Sequence, residues 1–446
     1  MNLFGTSGIR GPVGDVVTGD LALSVGRAVA TEGAERIVIG RDPRASGEWL
    51  LDGTTAGARE CGADVLDAGM VATPTLARAV SREGADAGIV ITASHNPPED
   101  NGLKLWNPSG QAFDAGQAER IESRIESGEY DLSGWDDGGG RTTVEDATER
   151  HAADLVASVG GADSLEGLSA VVDLGNGAGG VTVTALERLG CDVEAMNADP
   201  DGSFPNRPSE PTAENCEALC ARVGETDADL GIAHDGDADR MMAVDERGRF
   251  VPKDVLLALF AREAAREGTR VAVPVDTSLV VEDEVGKIGA SVTHTRVGDV
   301  HVAERATEPD VVFGGEPSGA WIWPDETLCP DGPLAACKLA ATARETPLSE
   351  LVDGVVSPHL RRDNIETDRK GAVMERVAAA VPEAYPDADL LTIDGVRAGF
   401  SDGWFLLRAS GTQPLIRVTA ESRREERAEE LREIALELVE EARRSV

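Results

Sequence analysis

Apolar residues along this chain fall into short runs that repeat one plan three times. In the first copy a strand at 37–40 (IVIG) leads through a helical stretch, ending at Cys61-Gly62, into a strand at 64–67 (DVLD). The second copy runs from 170–173 (AVVD) through a glycine turn and a helix ending at Leu189-Gly190 to 192–194 (DVE). The third runs from 271–275 (VAVPV) through a helix ending at Ile288-Gly289 to 291–293 (SVT). Each helix stops on a glycine suited to a left-handed C-cap, and a strand follows at once. This alternation predicts βαβ units and mainly parallel sheets.

Every copy then adds a strand that runs directly into an unusual loop: 88–92 into ASHNP (93–97), 230–234 into DGDADR (235–240), and 311–314 into GEPSG (315–319). Ligands in open α/β sheets bind beyond the carboxyl ends of strands, so three equivalent loops can serve one site. The stretch SGEYDLSGWDDGGGR (127–141) reads as a linker, and further boundaries fall near 249–253 and 357–369. Beyond them, strands at 390–394, 404–407 and 415–420 and a charged helix at 423–444 predict a smaller α+β domain with its own loop, RASGTQP (408–414). The expected fold class is α/β: three similar mixed or parallel α/β domains at 1–142, 143–250 and 251–360, then a C-terminal α+β domain at 361–446.

Composition narrows the function classes. An apolar share of 41% over 446 residues supports real cores and several domains. Acidic residues number 81 against 42 basic, a net charge of −39 that repels nucleic acid and anionic lipid. The acids are spread along the whole chain, which reads as the solvated surface of a halophilic protein, screened by concentrated salt. Any phosphate site in such a field must be locally basic or metal-lined. No apolar run reaches the ~20 residues of a membrane span, and the start MNLFGTSGIRG lacks a signal-peptide core. The six cysteines are scattered without a CxxC pair. A cytoplasmic protein is expected, with no nucleic-acid or membrane partner.

The loops carry the chemistry. Asp235, Asp237 and Asp239 alternate after a strand, so three carboxylates can gather on one hard cation, Mg²⁺ if phosphate oxygens complete its shell. An EF-hand is excluded: Glu246 stands at the twelfth position, but Arg240 replaces the glycine at the sixth and 241–244 (MMAV) reads as a strand. Ser94 is a candidate nucleophile on a turn stiffened by Asn96, Pro97 and Pro98, although most loop serines are caps. Lys104 can neutralise a transferring group or shuttle a proton. His95 is not expected as a triad partner, because adjacent residues rarely aim side chains at each other, and no GxSxG elbow is present. Glu316 and Ser318 suit sugar hydroxyls, or form a simple turn. Arg408, Ser410, Gly411, Thr412 and Arg417 combine guanidinium, hydroxyl and backbone amide, as a non-transferring phosphate requires, and Arg10 can approach the same site.

Taken together, GTSGIRG at 5–11, TASHNPPEDNGLK at 92–104, PDGSFPNRPSEP at 200–211, DGDADR at 235–240, GEPSG at 315–319 and RASGTQPLIRV at 408–418 strongly resemble the α-D-phosphohexomutase family over nearly the whole chain. The resemblance implies four domains around a central cleft and a phosphoserine held near one Mg²⁺ per chain. It implies Ser94 as that phosphoserine and a metal contact, with Asp235, Asp237 and Asp239 as metal ligands. Arg10, His95, Lys104 and Arg240 then surround the reacting phosphate, Glu316 and Ser318 bind sugar, and Arg408, Ser410, Gly411, Thr412 and Arg417 hold the distal phosphate. The implied activity interconverts hexose 6-phosphate and hexose 1-phosphate through a 1,6-bisphosphate of glucose or glucosamine. The fourth domain is expected to act as a lid, and the enzyme to be a monomer or homodimer. Two departures stand out: Ala320 occupies a position where many members carry His, and Gln413 replaces the acid of the common SGTEP. The VGD at 297–299 followed by VHV resembles phosphoglucosamine mutases, and GEPSGAWIWP (315–324) their archaeal branch. Glucosamine phosphate is the expected substrate, with glucose or mannose phosphate next. A metal-dependent sugar-phosphate phosphatase and a non-catalytic sensor are the more distant readings.

Overall fold

The computed structural model describes residues 3–5, 8–411 and 413–446. The chain forms two compact units, Met1–Lys253 with Ser318–Val352, and Asp254–Pro317 with Asp353–Val446.

In the first unit a seven-stranded sheet runs, edge to edge, Phe4–Gly5, Gly8–Pro12, Asp100–Trp106, Ala87–Ile91, Arg36–Arg41, Asp64–Met70 and Arg141–Thr143. Arg36–Arg41 pairs in parallel with both Asp64–Met70 and Ala87–Ile91, as the βαβ pattern requires. The central strands Arg36–Arg41 and Ala87–Ile91 are buried on both faces, which explains their unbroken apolar runs. Ile37, Ile39, Val65 and Ile89 pack with Val25 and Leu50 of the helices Gly19–Thr31 and Gly47–Glu60. Val38, Leu66 and Val90 face the other way, onto Leu76 and Val80 of Thr73–Arg82. Glycine lets the first two helices touch: a Cβ on Gly26 would lie 2.1 Å from the Thr54 carbonyl oxygen, and one on Gly57 would lie 2.0 Å from that of Leu23.

A second sheet in the same unit has the order Met241–Asp245, Leu230–His234, Ser169–Asp173, Asp192–Met196. This repeats the order Asp100–Trp106, Ala87–Ile91, Arg36–Arg41, Asp64–Met70, including the antiparallel outer strand. In the second unit, Arg270–Pro274 pairs in parallel with Ser291–Thr295 and Val311–Gly315 on its two sides, the same arrangement again. The threefold repeat read from the sequence is therefore a repeat of topology.

The last sheet is antiparallel throughout, in the order His359–Glu366, Leu415–Ser422, Gly403–Ala409, Val396–Phe400, Asp389–Leu391. One face buries Phe405, Leu407, Ile416 and Val418 against Val373, Val377, Leu431 and Val439 of the helices Lys370–Ala384 and Glu425–Arg444. On the other face Trp404 and Leu406 meet Val275 and Leu279. There the buried Glu421 accepts from Ser278 Oγ at 2.6 Å, the Leu279 amide at 2.7 Å and Trp404 Nε1 at 2.9 Å. A carboxylate from the fourth domain thus caps the helix Leu279–Gly286 of the third.

One segment differs from expectation. The stretch 127–141 is tied down rather than slack: the Ser133 amide donates to Glu60 O, Gly139 exchanges hydrogen bonds with Arg59, and the chain continues into the edge strand Arg141–Thr143. The boundary at 357–369 leads into the strand His359–Glu366, which forms an edge of the last sheet. Among the described residues no helix is long and apolar enough to cross a membrane, and none of the six cysteines is in a disulfide.

Candidate active site

The serine loop begins where the fully buried strand Ala87–Ile91 ends. Thr92 Oγ1 donates to Asp42 Oδ2 at 2.7 Å and accepts from the Ser94 amide at 2.8 Å. Ser94 adopts φ 52°, a left-handed conformation that is costly for a non-glycine residue and persists only where its surroundings over-determine it. Much of that constraint comes from Arg44, which is 1% exposed. Its guanidinium donates to the carbonyl oxygens of Ser94, Asn96, Pro97 and Asp100 at 2.5–2.9 Å and pairs with Asp42 at 3.0 Å. One buried arginine thus gathers the backbone of the whole turn. Burial pushes the Asp42 carboxyl up to about 6, even against Arg44 and Thr92.

Ser94 Oγ donates to Asp235 Oδ2 at 2.6 Å. His95 Nδ1 lies 3.4 Å from Ser94 Oγ, nearer than adjacency in sequence suggests. The left-handed turn at Ser94 brings the neighbouring side chains to one side. Burial, and then the charges of Arg240, Arg10 and Lys104, hold the His95 ring well below its ordinary range, so it is neutral.

The acidic loop leaves the equivalent strand, Leu230–His234, with Ala238 at φ 55°. Asp235, Asp237 and Asp239 are buried, and one oxygen from each lies within 4.8 Å of the others. Asp237 Oδ2 accepts from Thr73 Oγ1 at 2.5 Å and from Lys104 Nζ at 2.7 Å, while Lys104 also reaches Asp239 Oδ2 at 2.5 Å. Asp237 Oδ1 is buried with no hydrogen-bond partner. Burial together with the charges of Asp239 and Asp237 drives the Asp235 carboxyl well above its ordinary range. Burial acts the same way on Asp237, but Lys104 outweighs it and holds that carboxyl low. Lys104 in turn is kept charged by Asp237 and Asp239 in spite of its burial. Three converging carboxylates, with an oxygen of Asp237 left unsatisfied, fit a divalent cation such as Mg²⁺.

Arg10 and Arg240 complete the group. Arg10 Nε is buried without a hydrogen-bond partner, and the arginine's charge bears on His95, Lys104 and Asp237. The Arg240 amide donates to Asp235 Oδ1 at 3.2 Å, and its guanidinium lies 3.7 Å from Glu210. Ala320, standing where a family His is common, pairs its backbone with Arg240 and is buried there. The expected residues Ser94, His95, Lys104, Arg10, Asp235, Asp237, Asp239 and Arg240 all lie in the first unit.

The division of the chain falls inside the GEPSG loop, leaving Ser318 with the first unit and Glu316 with the second. Glu316 follows the strand Val311–Gly315, and its Oε1 accepts from the Gly298 amide at 2.7 Å. Arg408 and Arg417 are direct cross-strand partners in the last sheet. Like charges placed opposite each other are unfavourable unless an anion lies between them, so the pair suits a phosphate. Arg408 lies 3.9 Å from Asp276 and 3.6 Å from Asp394. Ser410 Oγ accepts from the Gln413 amide at 3.2 Å, closing the loop around the exposed Gly411. Thr412 lies outside the described residues.

Sequence reading passed over Thr73, Asp42 and Arg44 in the first unit and Lys370 in the second, whose ammonium donates to the carbonyls of Ser410 and Gln413 at 2.5 and 3.0 Å. A signal was present for three of these. Asp42, Arg44 and Thr73 follow the strands Arg36–Arg41 and Asp64–Met70, at the carboxyl edge that the serine loop shares.

Models of the phosphoglucomutase/phosphomannomutase family match in order: alpha/beta/alpha domain I at residues 1–131, domain II at 149–248, domain III at 252–359 and the C-terminal domain at 363–438. The protein named "Probable phosphoglucosamine mutase" in Methanopyrus kandleri is 46% identical, over 98% of this chain and 97% of its own. Its namesake in Methanothermobacter thermautotrophicus is 45% identical, over 97% and 96%. A solved phosphoglucomutase/phosphomannomutase family protein from Burkholderia thailandensis superposes with a TM-score of 0.87 at 28% identity, covering 98% of this chain and 97% of that one. By its four matched domains and its full-length relatives, this chain belongs to the phosphoglucomutase/phosphomannomutase family of isomerases.

Proposed function

We propose that the chain interconverts glucosamine 6-phosphate and glucosamine 1-phosphate, with Ser94 as the phosphate carrier and glucosamine 1,6-bisphosphate as the intermediate. One observation carries the reading: the Ser94 hydroxyl donates at 2.6 Å to Asp235, inside a buried three-carboxylate cluster able to hold a cation. Asp235, Asp237 and Asp239 would hold one Mg²⁺, which when bound neutralises phosphate charge and stabilises the charge of phosphoryl transfer. Arg10, Lys104, Arg240 and the neutral His95 ring then offer donors to the phosphate on Ser94. The phosphoryl group leaves Ser94 Oγ for the free hydroxyl of the sugar monophosphate, breaking one P–O bond and forming another. The hydroxyl gives up its proton and Ser94 regains one. The second half-reaction reverses both transfers at the other end of the sugar. Glu316 and Ser318 bind sugar hydroxyls, and Arg408, Ser410, Gly411, Thr412 and Arg417 hold the idle phosphate.

The choice of sugar rests on the 297–324 segment and on the names of the relatives. The expected result is a kcat/KM for glucosamine phosphate at least about tenfold above those for glucose and mannose phosphates, a factor within reach of one well-placed polar contact. Equal or reversed values make this a phosphomannomutase or phosphoglucomutase instead. The assay belongs in salt. With a net charge of −39, self-repulsion falls as ionic strength rises, so activity and Tm are expected to climb with KCl into the molar range, where the Debye length shrinks to about 3 Å. A flat or falling response sets aside the halophilic reading.

A further inference from the structure

The serine loop and the acidic loop leave different sheets, so neither sheet alone sets the distance between Ser94 and Asp235. The segment PDGSFPNRPSEP (200–211), which carried part of the family resemblance, forms neither helix nor strand. It threads between the two loops. A Cβ on Gly202 would lie 2.2 Å from Arg44 Cα, and the Phe204 ring lies 5.0 Å from the Arg44 guanidinium carbon. The buried Arg207 donates to Asp173 Oδ2 at 2.6 Å and to the carbonyl of His234, the residue before Asp235, at 2.7 Å. Between them Ser209, 3% exposed, donates through Oγ to the Ser94 carbonyl at 2.9 Å and accepts from the Gly236 amide at 2.9 Å. The loops meet almost backbone to backbone: a Cβ on Gly236 would lie 3.0 Å from both Ser94 O and Ser209 Oγ. Each loop also holds a non-glycine residue in a left-handed conformation, Ser94 and Ala238, which a firm external brace sustains.

We propose that Ser209 is a positioning residue for phosphoryl transfer, and that 200–211 is the strut that carries it. Its single hydroxyl fixes the Ser94 backbone against Gly236 and so keeps Ser94 Oγ in reach of Asp235. The inference rests on the reading of Ser94 as the phosphate carrier, and it deepens that reading by naming what aligns the carrier.

The test compares wild type, Ser209→Ala and Ser209→Thr. Each is mixed with glucosamine 1,6-bisphosphate and Mg²⁺, quenched at intervals and analysed by mass spectrometry for phosphate on Ser94, with kcat, KM and Tm measured alongside. Displacement of a reacting group by an ångström costs about 100-fold, so Ser209→Ala is expected to slow Ser94 phosphorylation and kcat by roughly 10- to 100-fold. KM for the monophosphate should stay within about twofold, because no proposed sugar or distal-phosphate contact changes, and Ser209→Thr, which keeps the hydroxyl, should recover most of the rate. Should Ser209→Ala fail to fold, Gly236→Ala presses on the same joint and should show the same loss of kcat at constant KM. The inference is overturned if Ser209→Ala phosphorylates Ser94 at the wild-type rate, if the loss lies in KM, if Thr rescues nothing, or if Gly236→Ala retains full kcat. A wild-type protein that takes no phosphate on Ser94 defeats the underlying reading instead.

Discussion

Replacing Ser94 with alanine is expected to lower mutase turnover by at least about 10³-fold while the protein stays folded, since a covalent route disappears with its nucleophile. The two effects separate because of how the loop is built. Arg44, Ser209 and Thr92 hold the turn through backbone atoms of Ser94, and all of those bonds survive the substitution. Only the hydroxyl is lost, with its bond to Asp235 and its 3.4 Å contact to His95 Nδ1. A buried hydrogen bond of this kind contributes about 1–3 kcal/mol, so Tm should move by a few degrees and no more. Thermal unfolding followed by circular dichroism, beside a coupled mutase assay, measures both. Full activity in Ser94→Ala excludes a phosphoserine route.

The second large effect concerns the cation. Asp237→Asn keeps the shape of the side chain and can still accept from Thr73 and Lys104, yet it removes one of three charges from the cluster. Asp237 Oδ1 has no hydrogen-bond partner and so is free to meet an ion. The expected result is a rise of about 100-fold or more in the Mg²⁺ concentration needed for half-maximal activity, with kcat also depressed at saturation. Magnesium titrations of both activity and Tm check it, since the ion should stabilise wild type by mass action and the variant hardly at all. Chelation of wild type should abolish turnover, and added Mg²⁺ should restore it. Turnover that is indifferent to both operations contradicts the assignment.

The fold was legible because its units are repeated. Three runs of strand, helix, glycine and strand announced three related sheets, and the loops at 94, 235 and 316 follow the same strand of each. Strands with mixed composition escaped. Asp100–Trp106 carries Asn101 and Lys104 among its apolar residues, so its pattern announced no strand, although the structure buries nearly all of it. His359–Glu366 is an edge strand whose charges hide its period. At the site, residue type and position identified the groups with unusual chemistry, while the residues that hold backbone stayed hidden. Arg44 spends its donors on carbonyl oxygens, and Ser209 joins an amide to a carbonyl. Neither role leaves a composition signal, because the partners are main-chain atoms far away in sequence. His95 shows the same limit from the other side: only the left-handed φ of Ser94, which no local pattern announces, turns it toward the hydroxyl.

The phosphoserine mechanism requires that phosphate reside on Ser94. Incubating the protein with glucosamine 1,6-bisphosphate and Mg²⁺, then mapping peptides by mass spectrometry, should locate one phosphate on Ser94. Adding glucosamine 6-phosphate should then discharge it into sugar bisphosphate. Phosphate found on another residue, or none found while turnover proceeds, would contradict it.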